Sequence, residues 1–425
     1  MGETSQYPAI TADEARHLFA PFAGRQKLAI GVSGGADSLA LMWLLSHWAD
    51  ETAARPEICV LTVDHGWRAD SAAEARSVAA YAACAGFAHS VLSGTEPAPE
   101  SGLEAWGRDL RLRLFGDWVR DHGADGVLLA HHGQDQAETL AMRLARGSGL
   151  RGLKAMEFKT RIGNLTIFRP LLGQSPARLK ATLEALGQSW IEDPSNADPR
   201  FERVRMREAM AAKGALTGLG LSPIALASSA ERLGRADAAL EHYSSLCMDR
   251  AVTIHRAGFA TVERVLLWAE PVEIRLRVLA RLLTGVSGRL ATHGAGLEAA
   301  LCDLDAGVTA ITLGGCRVAQ DKTRLLVTRE VRGIAPIDIT AGATTLWDDR
   351  FEVSLIGSSA SVEVRPLGEK GFAKVREIVS GLEGVPSRAG GGLPGGFRGS
   401  DLVVPPVFAP IKGSDCLMLE FCSRF

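Results

Sequence analysis

Apolar residues in the first half of the chain fall into short continuous runs separated by stretches of helical period. Runs at 28–32, 58–63, 89–92 and 127–130 have the length of buried strands. Between and after them, residues 39–45, 72–85, 104–120 and 135–146 read as helices. Alternation of this kind predicts a parallel sheet with helices on both faces. Ligands on such sheets bind beyond the carboxyl ends of the strands. The polar segments 33–38, 64–66 and 131–132 all fall at such ends.

Past about residue 213 the pattern changes. Residues 214–220 are glycine-rich and predict a linker, whereas 222–256 and 271–283 carry apolar positions three and four apart and predict helices. Pro271 suits the first turn of its helix, where a missing N–H costs nothing. Residues 309–329 predict a hairpin turning near 320–322, and from about 337 the chain reads as short strands punctuated by Gly and Pro. The expected organisation is an α/β domain over 1–214, a helical middle domain over 222–332 and a small β-rich domain over 336–425. A chain of 425 residues is too long for one core, which agrees.

Composition narrows the class. With 46% hydrophobic and 23% charged residues, long disorder is excluded. No apolar run is long enough to cross a bilayer, and the start lacks the pattern of a signal peptide, so a cytoplasmic protein is expected. Seven scattered cysteines with no Cys-x-x-Cys pair fit a reducing compartment. The net charge of −2 gives no global sign of a nucleic-acid partner. Residues 143–213, however, hold 14 Lys/Arg against 7 Asp/Glu. Such a segment is either a phosphate-tracking patch or a set of solvated helix faces.

The candidate chemistry starts at Ser33-Gly34-Gly35-Ala36-Asp37-Ser38, between a predicted strand and a predicted helix. Glycines let the backbone approach an anion, while N–H groups, the helix N-terminus and the hydroxyls of Ser33 and Ser38 supply donors. A triphosphate suits that cradle. Asp37 is out of place at an anion site unless a cation bridges, which implies Mg²⁺ with Asp37 as a ligand. The Walker-type Gly-x-x-x-x-Gly-Lys-Ser/Thr pattern is absent, which disfavours γ-phosphoryl transfer.

This loop resembles that of the PP-loop ATP pyrophosphatases, which cleave ATP between the α and β phosphates. Further segments resemble the tRNA(Ile)-lysidine synthetase family in particular. They are Leu61-Thr62-Val63-Asp64-His65-Gly66-Trp67-Arg68, Ala130-His131-His132-Gly133-Gln134-Asp135-Gln136-Ala137-Glu138-Thr139 and Arg146-Gly147-Ser148-Gly149-Leu150-Arg151-Gly152-Leu153. Arg169-Pro170-Leu171-Leu172 and Glu192-Asp193-Pro194-Ser195-Asn196 continue the series, so that the likeness runs in order through residues 27–210. Departures are Gln134, where the family usually has Asp, Val204 in place of Asn within Arg203-Val204-Arg205-Met206-Arg207, and Leu112 in place of Tyr after Arg108 and Arg111.

The resemblance implies a Rossmann-like, HUP-type parallel sheet and a two-step reaction. The wobble cytidine of the isoleucine tRNA with a CAU anticodon is adenylated by ATP, and free L-lysine then displaces AMP. On that reading Ser33 to Ser38 with Asp64 and His65 hold ATP and Mg²⁺. Asp135 and Glu138, three apart on one helix face, take the lysine amines, and His131 or a nearby carboxylate accepts the amine proton. Arg108 or Arg111 meets a carboxylate or phosphate, while Arg203, Arg205 and Arg207 contact tRNA phosphates. Each has a plainer alternative: strand-end caps for His131 and His132, a turn residue for Asp64, a local ion pair for Glu138, packing for Trp67 and Trp106. A tRNA thiolase of the same superfamily would be expected to show paired cysteines. A glutaminase-coupled synthetase would show Cys at residue 2, where Gly2 stands. A non-catalytic tRNA-binding protein fits poorly with an intact loop.

Overall fold

The computed structural model describes residues 7–64, 71–94, 99, 102–192, 200, 202–211, 214–289, 294–357, 361–408 and 416–422. By packing, the chain divides into two compact units, Met1–Asp237 and Ala238–Phe425. The boundary expected near residue 214 lies within the first, and residues 238–332 and 336–425 fall together in the second.

The first unit runs α1 (Ala12–Phe19), β1 (Lys27–Gly31), α2 (Ala36–Asp50), β2 (Glu57–Asp64), α3 (Ser71–Cys84), β3 (Ala88–Ser93), α4 (Leu103–Asp121), β4 (Val127–Leu128) and α5 (Gly133–Ala145). It continues through α6 (Leu150–Leu153), the hairpin β5 (Lys159–Ile162) and β6 (Leu165–Phe168), α7 (Pro176–Ala185), α8 (Glu202–Ala209), α9 (Ala215–Gly218) and the first half of α10 (Pro223–Ala251). Its strands form one sheet in the order β3-β2-β1-β4-β6-β5, parallel except for β5.

The apolar runs are continuous because both sheet faces are covered. Successive residues of a strand point to opposite faces. Leu28 and Ile30 of β1 join a core with α2, Phe19 and Phe22, whereas Ala29 between them joins one with Phe115 and Trp118 of α4. Eleven of the fifteen residues of α2 are buried, as its all-round apolar sequence requires. Among the helices that go unannounced by the pattern, α1 buries only Ala15 and Phe19, α6 and α7 are short, and α9 falls where a linker was expected. α1 is held by a capping box of Thr11 and Glu14, and Arg178 of α7 donates to both Glu14 oxygens at 2.9 and 2.8 Å. That bidentate pair, with its backbone neighbour Thr11, holds the Glu14 carboxyl down to about 2.

Strand β1 lies between β2 and β4, which the chain reaches by crossovers to opposite sides. The carboxyl ends of β1 and β4 are therefore the topological switch point, where such sheets open a crevice.

In the second unit the helical period from 222 ends at Ala251. After it come β7 (Val252–His255), β8 (Phe259–Glu263), α11 (Arg264–Trp268), α12 (Val272–Ser287), α13 (Ala295–Asp305), β9 (Ala310–Leu313), β10 (Cys316–Gln320) and β11 (Arg324–Arg329). Their strands make an antiparallel sheet in the order β7-β8-β11-β10-β9. The expected hairpin over 309–329 is thus a three-stranded meander, since Gly314 and Gly315 at φ 58° and 75° reverse the chain once more. The region carries its predicted helices and, in addition, this sheet. Strands of four to six residues with mixed exposure leave too little period to read.

The rest comprises β12 (Ile337–Ile339), β13 (Thr344–Trp347), β14 (Phe351–Ile356), β15 (Val362–Pro366), α14 (Gly368–Ile378), α15 (Ser387–Gly391), β16 (Pro394–Arg398), β17 (Asp401–Val404), β18 (Pro406–Val407) and β19 (Cys416–Phe421). Two four-stranded sheets result, β12-β15-β16-β17 and β13-β14-β19-β18. Their core of Trp347, Phe351, Phe372 and Leu417 also takes in Ala257 and Phe259. No helix among the described residues is long and apolar enough to cross a membrane.

Candidate active site at the carboxyl edge of the parallel sheet

After β1 the chain turns through Ser33 to Gly35 into α2. Gly34 has φ 88°, and a Cβ there would come within 2.9 Å of the Ile191 side chain, so the position accepts only glycine. Its carbonyl accepts from Ile191 N at 2.9 Å, which pins the loop. Gly35 is the N-cap of α2, and no side chain caps that terminus. The first-turn N–H groups of a fifteen-residue helix are left to an anion. Ser38 Oγ donates to Gly35 O at 2.9 Å and accepts from Ser33 N at 3.2 Å, so the two serines brace the loop from within.

From β4 the chain leads directly to His131, His132 and α5. His132 caps α5, where its N–H donates to Asp135 Oδ2 at 2.9 Å. Its ring lies 3.3 Å from Asp135 Oδ2 by Nδ1 and 3.4 Å from Asp37 Oδ2 by Nε2. One imidazole therefore joins the loop after β1 to the helix after β4. Burial works against its charge, but the Asp37 hydrogen bond and the charges of Asp135, Asp37 and Glu138 together raise its pKa. Burial likewise opposes the Asp135 charge, which His132, His131 and the His132 N–H outweigh, so its pKa falls.

Glu138, one turn on, has no exposed surface. Its Oε1 accepts from Arg207 Nε at 2.9 Å and from Gln134 Nε2 at 3.3 Å, whereas Oε2 is buried with no partner. A buried carboxylate oxygen with no donor is costly and calls for a ligand that brings one. Around these carboxylates stand arginines. Arg111 reaches solvent, yet the walls of the cleft crowd it, and burial together with Arg108 and Arg203 lowers its pKa. Arg111, Arg108 and Arg203 have no ion pair among the described residues. The site thus offers an anion-binding side and a cation-binding side within one cleft.

His131 feels the charges of both sides. Burial holds it well below the usual imidazole range, at about 3; Asp135 opposes that shift, and Arg169, Arg203 and Arg111 reinforce it. Its Nδ1 is buried without a partner. His131 is therefore neutral at physiological pH. The unfolded chain binds a proton below about pH 6.5 that the folded chain refuses until about pH 3, so this group costs stability as pH falls through that window. Ring resonances of His131 are expected to show no titration between pH 5 and 8; a midpoint near 6.5 would contradict the burial argument.

The cleft geometry has a sequence counterpart. A family model for the PP-loop domain matches residues 8–213. The chain is 34% identical over 405 residues to the tRNA(Ile)-lysidine synthase of Ruegeria pomeroyi, covering 94% of each. It is 39% identical over 322 residues to that of a Bradyrhizobium species, covering 74% of this chain and 89% of the relative. This chain belongs to the tRNA(Ile)-lysidine synthase family. Its Rhodopseudomonas palustris relative is 44% identical over 237 residues, covering 56% of this chain and 68% of that one.

Within this lysidine synthase fold, the residues expected from sequence fall into three groups. Ser33 to Ser38, His131, Asp135, Glu138, Arg108, Arg111 and Arg203 gather in the first unit around the carboxyl edge, and Asp64 ends β2 on the same edge. Arg207 is drawn inward to Glu138, while Arg205 stays exposed and donates to Arg200 O at 2.9 Å. His65, Trp67 and the segment 193–196 lie outside the described residues.

Two of the three departures find a physical role. Gln134 supplies an amide donor to Glu138 where Asp would repel it, and Val204 is the residue that α8 buries. Three residues were given no role in the site from sequence. Gln136 clasps Met156 by Nε2 to O at 2.8 Å and N to Oε1 at 2.7 Å, and Arg143 Nη1 donates to Gly152 O and Ala155 O at 2.6 and 2.9 Å. These fix the segment 146–156 against α5. The third, Arg169, follows β6 on the same edge.

Proposed function

We propose that this chain ligates free L-lysine to the wobble cytidine of the isoleucine tRNA with a CAU anticodon, with ATP converted to AMP and diphosphate. The product, lysidine, would read AUA instead of AUG. The observation that carries this reading is the His132 bridge, which brings the anion loop at Asp37 to 3.4 Å and Asp135 to 3.3 Å of one ring. A nucleotide whose phosphates lie on the loop then has its α-phosphate beside the carboxylate-lined pocket.

In the first step the cytosine carbonyl oxygen attacks the α-phosphate, and diphosphate leaves toward the uncapped N-terminus of α2. In the second, the lysine ε-amine forms the C–N bond at the same ring carbon, the C–O bond to AMP breaks, and the amine proton passes to a nearby carboxylate. Asp135 and the open Oε2 of Glu138 hold the substrate ammonium groups. Asp37 fits Mg²⁺: its carboxylate is partly exposed at the loop, and among the described residues its ion-pair partner is His132 and no cluster of three metal-ligating residues occurs. Mg²⁺ usually rests on one or two carboxylates plus substrate phosphates, and would supply charge stabilisation at the transferring phosphate. Seven free thiols agree with a cytoplasmic setting.

The test is radiolabelled ATP with the CAU transcript and Mg²⁺. AMP release is expected to require lysine, and Asp37→Ala should slow diphosphate release at least about a hundredfold. Release of ADP, or turnover indifferent to lysine, would overturn the reading.

A further inference from the structure

We propose that Arg169 anchors a carboxylate-binding subsite in this cleft and seats the α-carboxylate of the free amino-acid substrate. The proposal rests on the lysine-ligating reading above. Arg169 directly follows β6, and the Phe168 carbonyl beside it accepts from Leu129 N at 2.9 Å, on the stretch that leads to His131. Its residue surface is only 5% exposed. Nη1 is fixed by Glu157 O at 3.0 Å and Thr160 Oγ1 at 2.8 Å, and the backbone N–H by Phe158 O at 2.8 Å. Nε is buried and has no partner.

A buried guanidinium normally meets a carboxylate, because leaving the charge unpaired is costly. Among the described residues Arg169 has no ion pair. Glu157, the one carboxylate whose charge it feels, is held by Lys154 at 2.8 Å. Arg108 adds repulsion, so burial first and Arg108 second bring the Arg169 pKa down to about 10. Holding a hairpin together would need only a neutral donor. A retained, rigid, uncompensated charge points to an incoming anion.

The site geometry selects which anion. The phosphates of ATP have their own cradle after β1, and a polynucleotide backbone does not reach a side chain this buried. His131 feels both Arg169 and Asp135, so a positive and a negative group lie within electrostatic reach of one ring. That polarity matches a zwitterion, with its carboxylate at Arg169 and its ammonium groups toward Asp135 and Glu138.

The discriminating probe is cadaverine, which keeps both lysine amines and lacks the carboxylate. Wild type should prefer lysine over cadaverine in kcat/KM by about 10- to 100-fold, the worth of a charge-assisted pair. Arg169→Gln should remove that preference by lowering lysine turnover alone, with cadaverine turnover and the ATP KM unchanged. Arg169→Lys and Thr160→Val, which keep charge and volume respectively, should show smaller losses of the same kind and carry the test if Arg169→Gln fails to fold. Equal losses on both amines would make Arg169 merely structural, and a raised ATP KM would make it a phosphate ligand; either overturns the proposal. If wild type releases no lysine-dependent AMP, the ligation reading itself fails. If it does and every variant keeps full preference for lysine, only this inference falls.

Discussion

Glu138→Ala is expected to abolish lysine-dependent AMP release while leaving diphosphate release from ATP and tRNA largely intact. The separation follows from where Glu138 lies. It is buried on α5 one turn on from Asp135, with Oε1 held by Arg207 and Gln134 and Oε2 open. A substrate ammonium would complete that oxygen, and a hydrogen bond between two charged groups is worth about 1.5–3 kcal/mol. Truncation also leaves Arg207 unpaired, so the total loss in kcat/KM for lysine should reach at least about a hundredfold. Glu138→Gln keeps the shape and separates charge from packing. Rapid quench of labelled ATP, with diphosphate and AMP read in the same samples, resolves the two steps. Near-wild-type turnover at saturating lysine would remove Glu138 from the site.

Asp348→Ala should destabilise the second unit by about 3–5 kcal/mol, the usual cost of breaking a buried ion pair. Two arginines depend on this one carboxylate. Arg329 donates to both oxygens at 2.9 Å from Nε and Nη2, and Arg350 Nε donates at 2.7 Å. Both arginines are almost wholly buried, and their other bonds run to Gly315 O, Glu330 O and Gly392 O. Arg350 also lies over the rings of Trp347 and Phe351 at 5.8 and 5.1 Å. The knot therefore gathers the end of β11, the β13–β14 turn and the segment before β16. Asp348 has φ 50°, which Asn tolerates nearly as well, so Asp348→Asn isolates the charge from the backbone. Urea denaturation followed by Trp fluorescence measures both; a loss under about 1 kcal/mol for either would show that the arginines find other partners.

The two sites differ in how much of them sequence could show. The loop at 33–38 and the stretch 130–139 are local: each is one strand end running into one helix, so spacing alone places their donors. Nothing in the letters says that His132 reaches back to Asp37, or that Arg207 turns inward to Glu138 while Arg205 does not. Those pairings join residues 95 and 69 positions apart, and they depend on how the helices pack. Arg169 was visible in a motif, but its burial without a counterion was not. In the second unit strands of four to six residues carry too little period, which is why a five-stranded sheet hid behind helical spacing.

By itself the sequence determined the parallel sheet, the anion loop and the family, because buried strands, glycines at a turn and a capped helix start are each specified by adjacent residues. Only the tertiary structure decided which charges meet. Desolvation and pairing are properties of a packed neighbourhood, and they set His131 neutral, leave one oxygen of Glu138 open and strand Arg169 without a partner.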